Sequence, residues 1–174
     1  DLEYAYVVNA DLTLGGSYTS TDSEFAAGSI GYANDSSYAG MSAATRDVSG
    51  QPVGDAAESS LTFYLDHSVA AAWGGERYTR YNISWRDERV SAINPDLKIS
   101  ALILANIIVG WTSADDVWDA SFFVKNILDD VDISHIQSYY SDYHIPGGGS
   151  LPSKFYAANT NMGRQLGAQL VYRF

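Results

Sequence analysis

Four aspartates, the residue type that binds hard metal ions, lie close together towards the end of the chain. They are Asp129, Asp130, Asp132 and Asp142. Carboxylate oxygens at such a spacing suit a hard cation such as calcium. The segment, however, lacks the central glycine and the distal glutamate of an EF-hand loop. A solvated start of a loop is therefore the favoured interpretation, and we predict no metal site.

Tyrosines and histidines lie in the same part of the chain as these aspartates. Tyr139, Tyr140, Tyr143 and His144 lie in one short stretch, with His135 before them. A tyrosine offers a flat amphipathic surface with a polar tip, which suits sugars or aromatic chelates. We predict that Tyr139, Tyr140, Tyr143 and His144 contact a substrate. The alternative is that this stretch packs on neighbouring loops.

Other patterns that could support chemistry carry less weight. The glycines at 147–149 are predicted to form a flexible hinge and not a phosphate cradle, because no helix follows them. Serine, histidine and aspartate are all present, but no nucleophile-elbow motif accompanies them. We therefore predict that the chain is not an enzyme and requires no cofactor.

Composition excludes several classes of protein. The 174 residues contain no cysteine, so disulfides and thiolate metal sites are absent. The formal net charge of −11 argues against a nucleic-acid partner, since phosphates need a basic surface. No apolar run approaches the ~20 residues of a membrane helix. No signal peptide is visible at Asp1, so the start is expected to be processed or internal to a longer chain.

The elements that must position these residues are strands. In the last residues of the chain Leu166, Ala168, Leu170, Tyr172 and Phe174 alternate with mostly polar residues. A period of two indicates a strand, because successive side chains point to opposite faces. By the same criterion we predict seven strands, at 2–8, 12–24, 59–67, 77–86, 97–111, 117–126 and 164–174.

The connections between these strands alternate in length. Those at 9–11, 68–76 and 112–116 are short, and those at 26–58, 87–96 and 127–163 are longer. In an antiparallel meander every second connection lies at the same end of the sheet. Outer-membrane barrels have short turns at one end and long loops at the other. The predicted fold is therefore an all-β antiparallel transmembrane barrel meander, with long outer loops at 26–58 and 127–163.

Aromatic residues fall at the two ends of the predicted strands. Barrels carry aromatic girdles where their wall meets the two membrane interfaces. The chain is rich in aromatics, at 13% of its residues, which favours such girdles. We predict one girdle from Trp111, Trp118, Tyr172 and Phe174, and another from Tyr18 and Trp85.

Four stretches in order along the chain resemble the TonB-dependent outer-membrane receptor family. The stretch 118–130, with its Val-Lys-Asn-Ile-Leu-Asp core, resembles the penultimate strand of that family. The stretch 163–174, which ends in Tyr-Arg-Phe, resembles the closing strand. An upstream hairpin arm at 11–24 and a strand-to-loop junction at 81–87 complete the set.

The resemblance implies a C-terminal section, residues 1–174, of a bacterial outer-membrane transporter barrel. Such barrels have about 22 strands and a plugged lumen, and the plug is expected to lie outside this sequence. The inward Arg80, Arg86, Lys125 and Arg173 are expected to pair with acidic groups of this plug or to be solvated in the lumen. The implied function is import of a bulky scarce nutrient: a ferric siderophore, cobalamin or an oligosaccharide. The implied partners are outer-membrane lipid, the remaining barrel and plug, a TonB-type energy-coupling protein and the barrel-assembly machinery, which would read Phe174 as an assembly signal.

Two alternatives belong to other classes. One is a smaller self-contained outer-membrane barrel that acts as an adhesin or hydrolase. The other is a soluble β-sandwich that binds a ligand. Detergent-dependent solubility separates the membrane proteins from the sandwich, and a plug domain encoded upstream would separate the transporter from the small barrel.

Overall fold

The structure, a computed structural model, describes residues 1–32, 45–91, 97–144 and 150–174. For residues 32, 45–46, 137–144 and 150–156 it describes the backbone alone. The described residues form thirteen strands. In chain order these are β1 (Leu2–Asn9), β2 (Leu12–Ser20), β3 (Ile30–Tyr32), β4 (Thr45–Asp47), β5 (Ser59–Ala70), β6 (Glu76–Arg86), β7 (Arg89–Val90), β8 (Lys98–Ile99), β9 (Leu102–Thr112), β10 (Trp118–Lys125), β11 (Ile133–His144), β12 (Ser150–Thr160) and β13 (Gln165–Tyr172).

Seven of these strands form one antiparallel sheet, here called the wall sheet. Its order is β1-β2-β5-β6-β9-β10-β13, so each strand pairs with its neighbour in the chain once the loop strands are set aside. The predicted seven-stranded antiparallel meander is confirmed. Nowhere in the described ranges does a helix reach the length and apolarity needed to cross a membrane.

The strand register divides the wall sheet into two faces, because directly paired residues share a face. One face, here called the apolar face, is built almost wholly from aliphatic and aromatic side chains. Its positions are Leu2, Tyr4, Tyr6, Leu12, Leu14, Gly16, Tyr18, Leu61, Phe63, Leu65, His67, Val69, Arg77, Thr79, Tyr81, Ile83, Trp85, Ile103, Ala105, Ile107, Val109, Trp111, Trp118, Ala120, Phe122, Val124, Leu166, Ala168, Leu170 and Tyr172.

The opposite face, here called the polar face, carries most of the charge and the serine and threonine side chains of the wall. On it Arg80 pairs with Asp66 at 3.8 Å and lies over the ring of Tyr78. The Ser17 and Thr62 hydroxyls are hydrogen-bonded at 2.7 Å across the β2–β5 pair. An in-chain partner for Arg80 means that this arginine does not need a plug carboxylate to balance its charge.

Glycines on the polar face lie opposite aromatic rings. In each case the ring of the neighbouring strand covers the glycine so closely that an added Cβ would overlap it. This arrangement fills the gap that a glycine leaves in a strand and holds the two strands in register. The three pairs are Gly15 with Tyr64, Gly110 with Tyr78, and Gly167 with Phe123.

The two ends of the wall sheet differ. Short turns join β1 to β2, β5 to β6 and β9 to β10 at one end, here called the turn end. The connections at 21–58, 87–101 and 126–164 lie at the other, the loop end. Each of them contains a two-stranded sheet, β3–β4, β7–β8 or β11–β12. Several of the most buried side chains lie at the loop end, among them Ile99, Ser91 and Ile136.

Some predicted boundaries are wrong. The second strand ends at Ser20 and not at Glu24, which instead forms an isolated bridge to Pro52. The predicted strand at 97–111 is two strands, because Lys98 and Ile99 pair locally with β7 and only β9 belongs to the wall. The long connections at 26–58, 87–96 and 127–163, to which the sequence assigned no strands, contain the other five loop strands. Alternation locates a strand but does not reveal which strand it pairs with.

Candidate functional site

Two arginines mark the point where the loops leave the wall sheet. Arg86 ends β6 on the polar face, and Arg89 begins β7 directly afterwards. The Arg86 Nη2 donates to the carbonyl of Ile133 at 3.4 Å, and the Arg89 Nη2 donates to the carbonyl of Ser134 at 2.7 Å. Both acceptors belong to the first residues of β11. The arginine pair therefore holds the base of the β11–β12 hairpin against the β6–β9 connection.

Several polar atoms of the arginine pair and of Asp132 have no partner among the described residues. Arg86 Nε, Arg89 Nε and Nη1, and Asp132 Oδ2 are buried and form no hydrogen bond with any described group. Arg89 is only 7% exposed. Buried charged donors without partners are costly, so they gain strongly from any polar group that reaches them. Arg86, Arg89 and Asp132 thus form a cluster of buried polar atoms at the loop end.

A single asparagine organises the chain where it leaves β10. Asn126 is 5% exposed and adopts a φ of 51°, a left-handed conformation that asparagine tolerates well. Its Nδ2 donates to the carbonyls of Asp130 and Met162, both at 3.0 Å, and its Oδ1 accepts from the Asp130 N–H at 3.1 Å. Asn126 thereby joins the start and the end of the long connection 126–164.

The described aspartates that were considered for calcium accept hydrogen bonds from backbone N–H groups. Asp129 Oδ1 accepts the N–H of Arg164, and Asp130 Oδ2 accepts the N–H of Ile103. Asp132 Oδ1 accepts its neighbour's N–H at 2.6 Å. Within the described residues no three His, Cys, Asp or Glu side chains come together as a metal site would require. The Asp142 side chain lies outside the described atoms.

The loops meet one another at the loop end. Asp55, in the β2–β5 connection, donates its N–H to the carbonyl of Val90 at 2.8 Å, and its carboxylate lies 3.9 Å from His135 Nδ1. Nearby Lys98 Nζ donates to Glu88 at 2.7 Å. The hydrogen bond and negative charge of Glu88 raise the pKa of Lys98, which remains charged at neutral pH. The three long connections thus touch each other as well as the wall.

The predicted substrate contacts lie in β11. Tyr139, Tyr140, Tyr143 and His144 are opposite Phe155, Lys154, Leu151 and Ser150 of β12. Alternation along a strand places positions 139 and 143 on one side of the hairpin and positions 140 and 144 on the other. Their side chains, and the glycines at 147–149, lie outside what the structure describes, so contact with a substrate stays a prediction.

The predicted girdle residues lie at the two ends of the apolar face. At the turn end the rings of Trp118 and Tyr172 are 4.7 Å apart, and those of Tyr172 and Phe174 are 6.4 Å apart. Trp111 Nε1 donates to the carbonyl of Gly74 in the β5–β6 turn at 2.8 Å. At the loop end Tyr18 and Trp85 flank Leu61 at one level of the sheet. The membrane role of these rings stays a prediction.

The turn beside Trp118 is held by an exposed carboxylate. Asp115 accepts hydrogen bonds from the Ser113 hydroxyl at 2.5 Å and from the Val117 N–H at 3.1 Å. These two donors, the hydroxyl first, lower the pKa of Asp115. Asp116 follows with a φ of 57°, and its carbonyl accepts from Arg173 Nη1 at 2.9 Å. The predicted inward Arg173 is therefore bound to this turn.

Sequence reasoning did not find the arginine pair or the charge at Arg77 on the apolar face. Arg86 was expected in the lumen, but nothing in a sequence shows that its donors reach the backbone of a hairpin far along the chain. The position of Arg77 was detectable, because it is four residues before Tyr81 in the same alternation.

The wall sheet is an antiparallel meander of seven strands with one apolar face, short turns at one end and long loops at the other. In fold it matches a segment of a TonB-dependent receptor barrel. One solved structure that matches is the ferric yersiniabactin uptake receptor FyuA from Yersinia pestis, with a TM-score of 0.70. The similarity covers 99% of this chain and 22% of that chain at 16% sequence identity, which shows the fold. No protein-family model and no curated protein matches the sequence.

Proposed function

We propose that this chain forms part of the wall and outer loops of a bacterial outer-membrane active transporter. Its substrate would be a bulky scarce nutrient: a ferric siderophore, cobalamin or an oligosaccharide. The observation that carries the proposal is the register of the wall sheet, which separates an apolar face from a polar face over all seven strands. The fold similarity to an uptake receptor supports the same conclusion.

The physical reason is the exposure of the apolar face. Leu2, Leu166, Leu170 and Phe122 are all more than half exposed. A water-exposed apolar surface of this extent is unfavourable, whereas lipid accepts it at no cost. The five inner strands, β2, β5, β6, β9 and β10, are hydrogen-bonded along both edges, as the hydrocarbon region of a membrane requires. The polar face would then line a lumen that contains the plug and water.

Capture of the substrate would fall to the loop end. The β11–β12 hairpin extends from this end and is anchored on the arginine pair. Energy for release into the periplasm would come from the inner membrane through a TonB-type protein. That protein and the plug would belong to other parts of the intact transporter.

The hairpin tyrosines provide a test of the proposed function. In the intact protein, replacement of Tyr139, Tyr140 and Tyr143 by Ala is expected to lower uptake at limiting substrate at least fivefold, because flat amphipathic contacts are lost. Uptake is measured per receptor, with outer-membrane levels determined in parallel. Tyr6→Ala, on the apolar face, is the matched control and should leave uptake unchanged. Unaltered uptake in the triple variant would remove this hairpin from the binding site.

The last residue provides a test of outer-membrane assembly. Phe174 is fully exposed, so its removal costs little packing. Deletion of Phe174 is nevertheless expected to lower the outer-membrane level severalfold, because the barrel-assembly machinery would lose a terminal aromatic. Phe174→Tyr, which keeps the ring, should assemble normally. Quantitative immunoblots of outer-membrane fractions measure both, and a normal level after deletion would argue against an assembly signal here.

A further inference from the structure

The apolar face carries one formal charge. Among its described positions Arg77 is the single Lys, Arg, Asp or Glu. The residues paired with Arg77 across the sheet are Val69 and Trp111, neither of which is charged. Arg77 is exposed and forms no ion pair within the described part of the chain. Its charge therefore lacks a partner on a surface where a charge is unfavourable.

Two indoles flank this arginine at the turn end. Trp73, in the β5–β6 turn, is 68% exposed. Trp111 is half-buried, and its Nε1 already donates to Gly74. Indoles prefer the boundary between hydrocarbon and headgroups, so they place Arg77 at the depth of lipid phosphates and not near the midplane. At that depth a guanidinium reaches phosphate oxygens with two parallel N–H donors.

A shallow groove of about 670 Å³ begins at Arg77 and crosses β9 and β10 to β13. Its floor is low because Ala120 and Ala168 present small side chains between the bulkier Trp111, Phe122 and Leu170. Apart from Arg77, the groove is lined largely by apolar atoms. The groove therefore offers an apolar surface for an acyl chain, with the Arg77 guanidinium at one end.

We propose that this groove binds a glycerophospholipid of the membrane leaflet at the turn end. The phosphate lies at Arg77, the glycerol backbone lies between Trp73 and Trp111, and one acyl chain follows the groove over Ala120 and Ala168. The cation complements the phosphate, and the apolar floor complements the chain. A free phosphate ion would find no second cation here, so lipid is the occupant. The site rests on the proposed membrane location but on no property of the transported substrate.

The test measures phospholipid that the intact protein retains after purification in a mild detergent, by native mass spectrometry and lipid extraction. Arg77→Gln is expected to lower retained phospholipid at least fivefold, whereas Arg77→Lys keeps part of it. Arg80→Gln is the matched control, because it removes the same charge from the polar face and should change nothing. Ala168→Trp fills the groove while Arg77 stays, and it should lower retention as strongly as Arg77→Gln.

Any of the following results would show that the proposal is wrong. Equal retention in Arg77→Gln and the parent excludes the phosphate contact, and retention unaffected by Ala168→Trp excludes the acyl chain in the groove. Retained lipopolysaccharide in place of phospholipid, or dimers that Ala168→Trp disrupts, would identify a different occupant. Insertion of every variant into vesicles is measured alongside. A parent that does not insert contradicts the proposed membrane location, whereas a parent that inserts but retains no phospholipid contradicts the lipid site alone.

Discussion

Phe122→Arg is expected to destabilise the folded protein by about 2–4 kcal/mol in lipid vesicles if this position is close to the midplane. Phe122 lies on the apolar face between Val109 and Ala168, and it is 52% exposed. An arginine at this position would have to reach an interface past several residues of hydrocarbon. Unfolding by urea in phospholipid vesicles measures the change. Leu170→Arg, nearer the turn end, should cost less.

Gln169→Arg is the control for this prediction. Gln169 is exposed on the polar face, opposite Ser121, at a similar depth. An arginine there would face a solvated lumen, so we expect a change of less than about 1 kcal/mol. Equal effects of Phe122→Arg and Gln169→Arg would show that both faces meet the same medium, and the membrane location would then be wrong.

Asn126→Ala is expected to destabilise the protein by about 3 kcal/mol. The Met162 carbonyl and the Asp130 N–H lose their partner, and the Asp130 carbonyl keeps only the hydrogen bond from Asn161 Nδ2. Buried groups left without partners cost about 1–3 kcal/mol, and an alanine at a φ of 51° adds backbone strain. Urea unfolding in vesicles measures the stability, and limited proteolysis of the connection 126–164 reports whether its two ends separate.

Asn126→Gly separates the two contributions. Glycine adopts a positive φ without strain, so this variant should be more stable than Asn126→Ala by about 1 kcal/mol. The remaining loss belongs to the hydrogen bonds. A stability of Asn126→Ala within roughly 0.5 kcal/mol of the parent, which is the uncertainty of such measurements, would mean that water replaces the missing contacts. Asn126 would then not hold the two ends of the connection together.

The wall sheet could be predicted from the sequence because its two faces meet different surroundings. Leu166, Leu170 and Tyr172 alternate with Gln165 and Gln169, and that period of two is the physical signature of a strand with one apolar and one polar face. The register follows, since a slip of one residue would turn the apolar face inward. The three aromatic–glycine contacts were not predicted, because alternation does not say which ring will cover which glycine.

The loop end could be predicted only in outline. Length alternation located the long connections, but β3, β4, β7 and β8 are too short for periodicity to be detected. β11 and β12 have 12 and 11 residues, but apolar and polar residues do not alternate regularly along them. Lys98 and Ile99 are continuous in sequence with the apolar run of β9. Nothing in the sequence indicates that they pair with β7 instead. The arginine pair and Asn126 act through backbone groups, which every residue possesses. A sequence pattern therefore cannot identify their partners, although the strand predicted from alternation at 117–126 ended at Asn126.

The separation of the small loop sheets from the wall sheet has a consequence for how such a chain can evolve. None of the described loop strands pairs with a wall strand, so hairpin residues can be exchanged without a change in wall register. The loops, however, contact one another, through Arg89 with Ser134 and Asp55 with His135. Substitutions should then be inherited in groups across the three loops and independently of the wall. A family of such proteins could diversify its ligands as a set of matched loops on an unchanged barrel, and an alignment in which the loops vary independently of one another would contradict this.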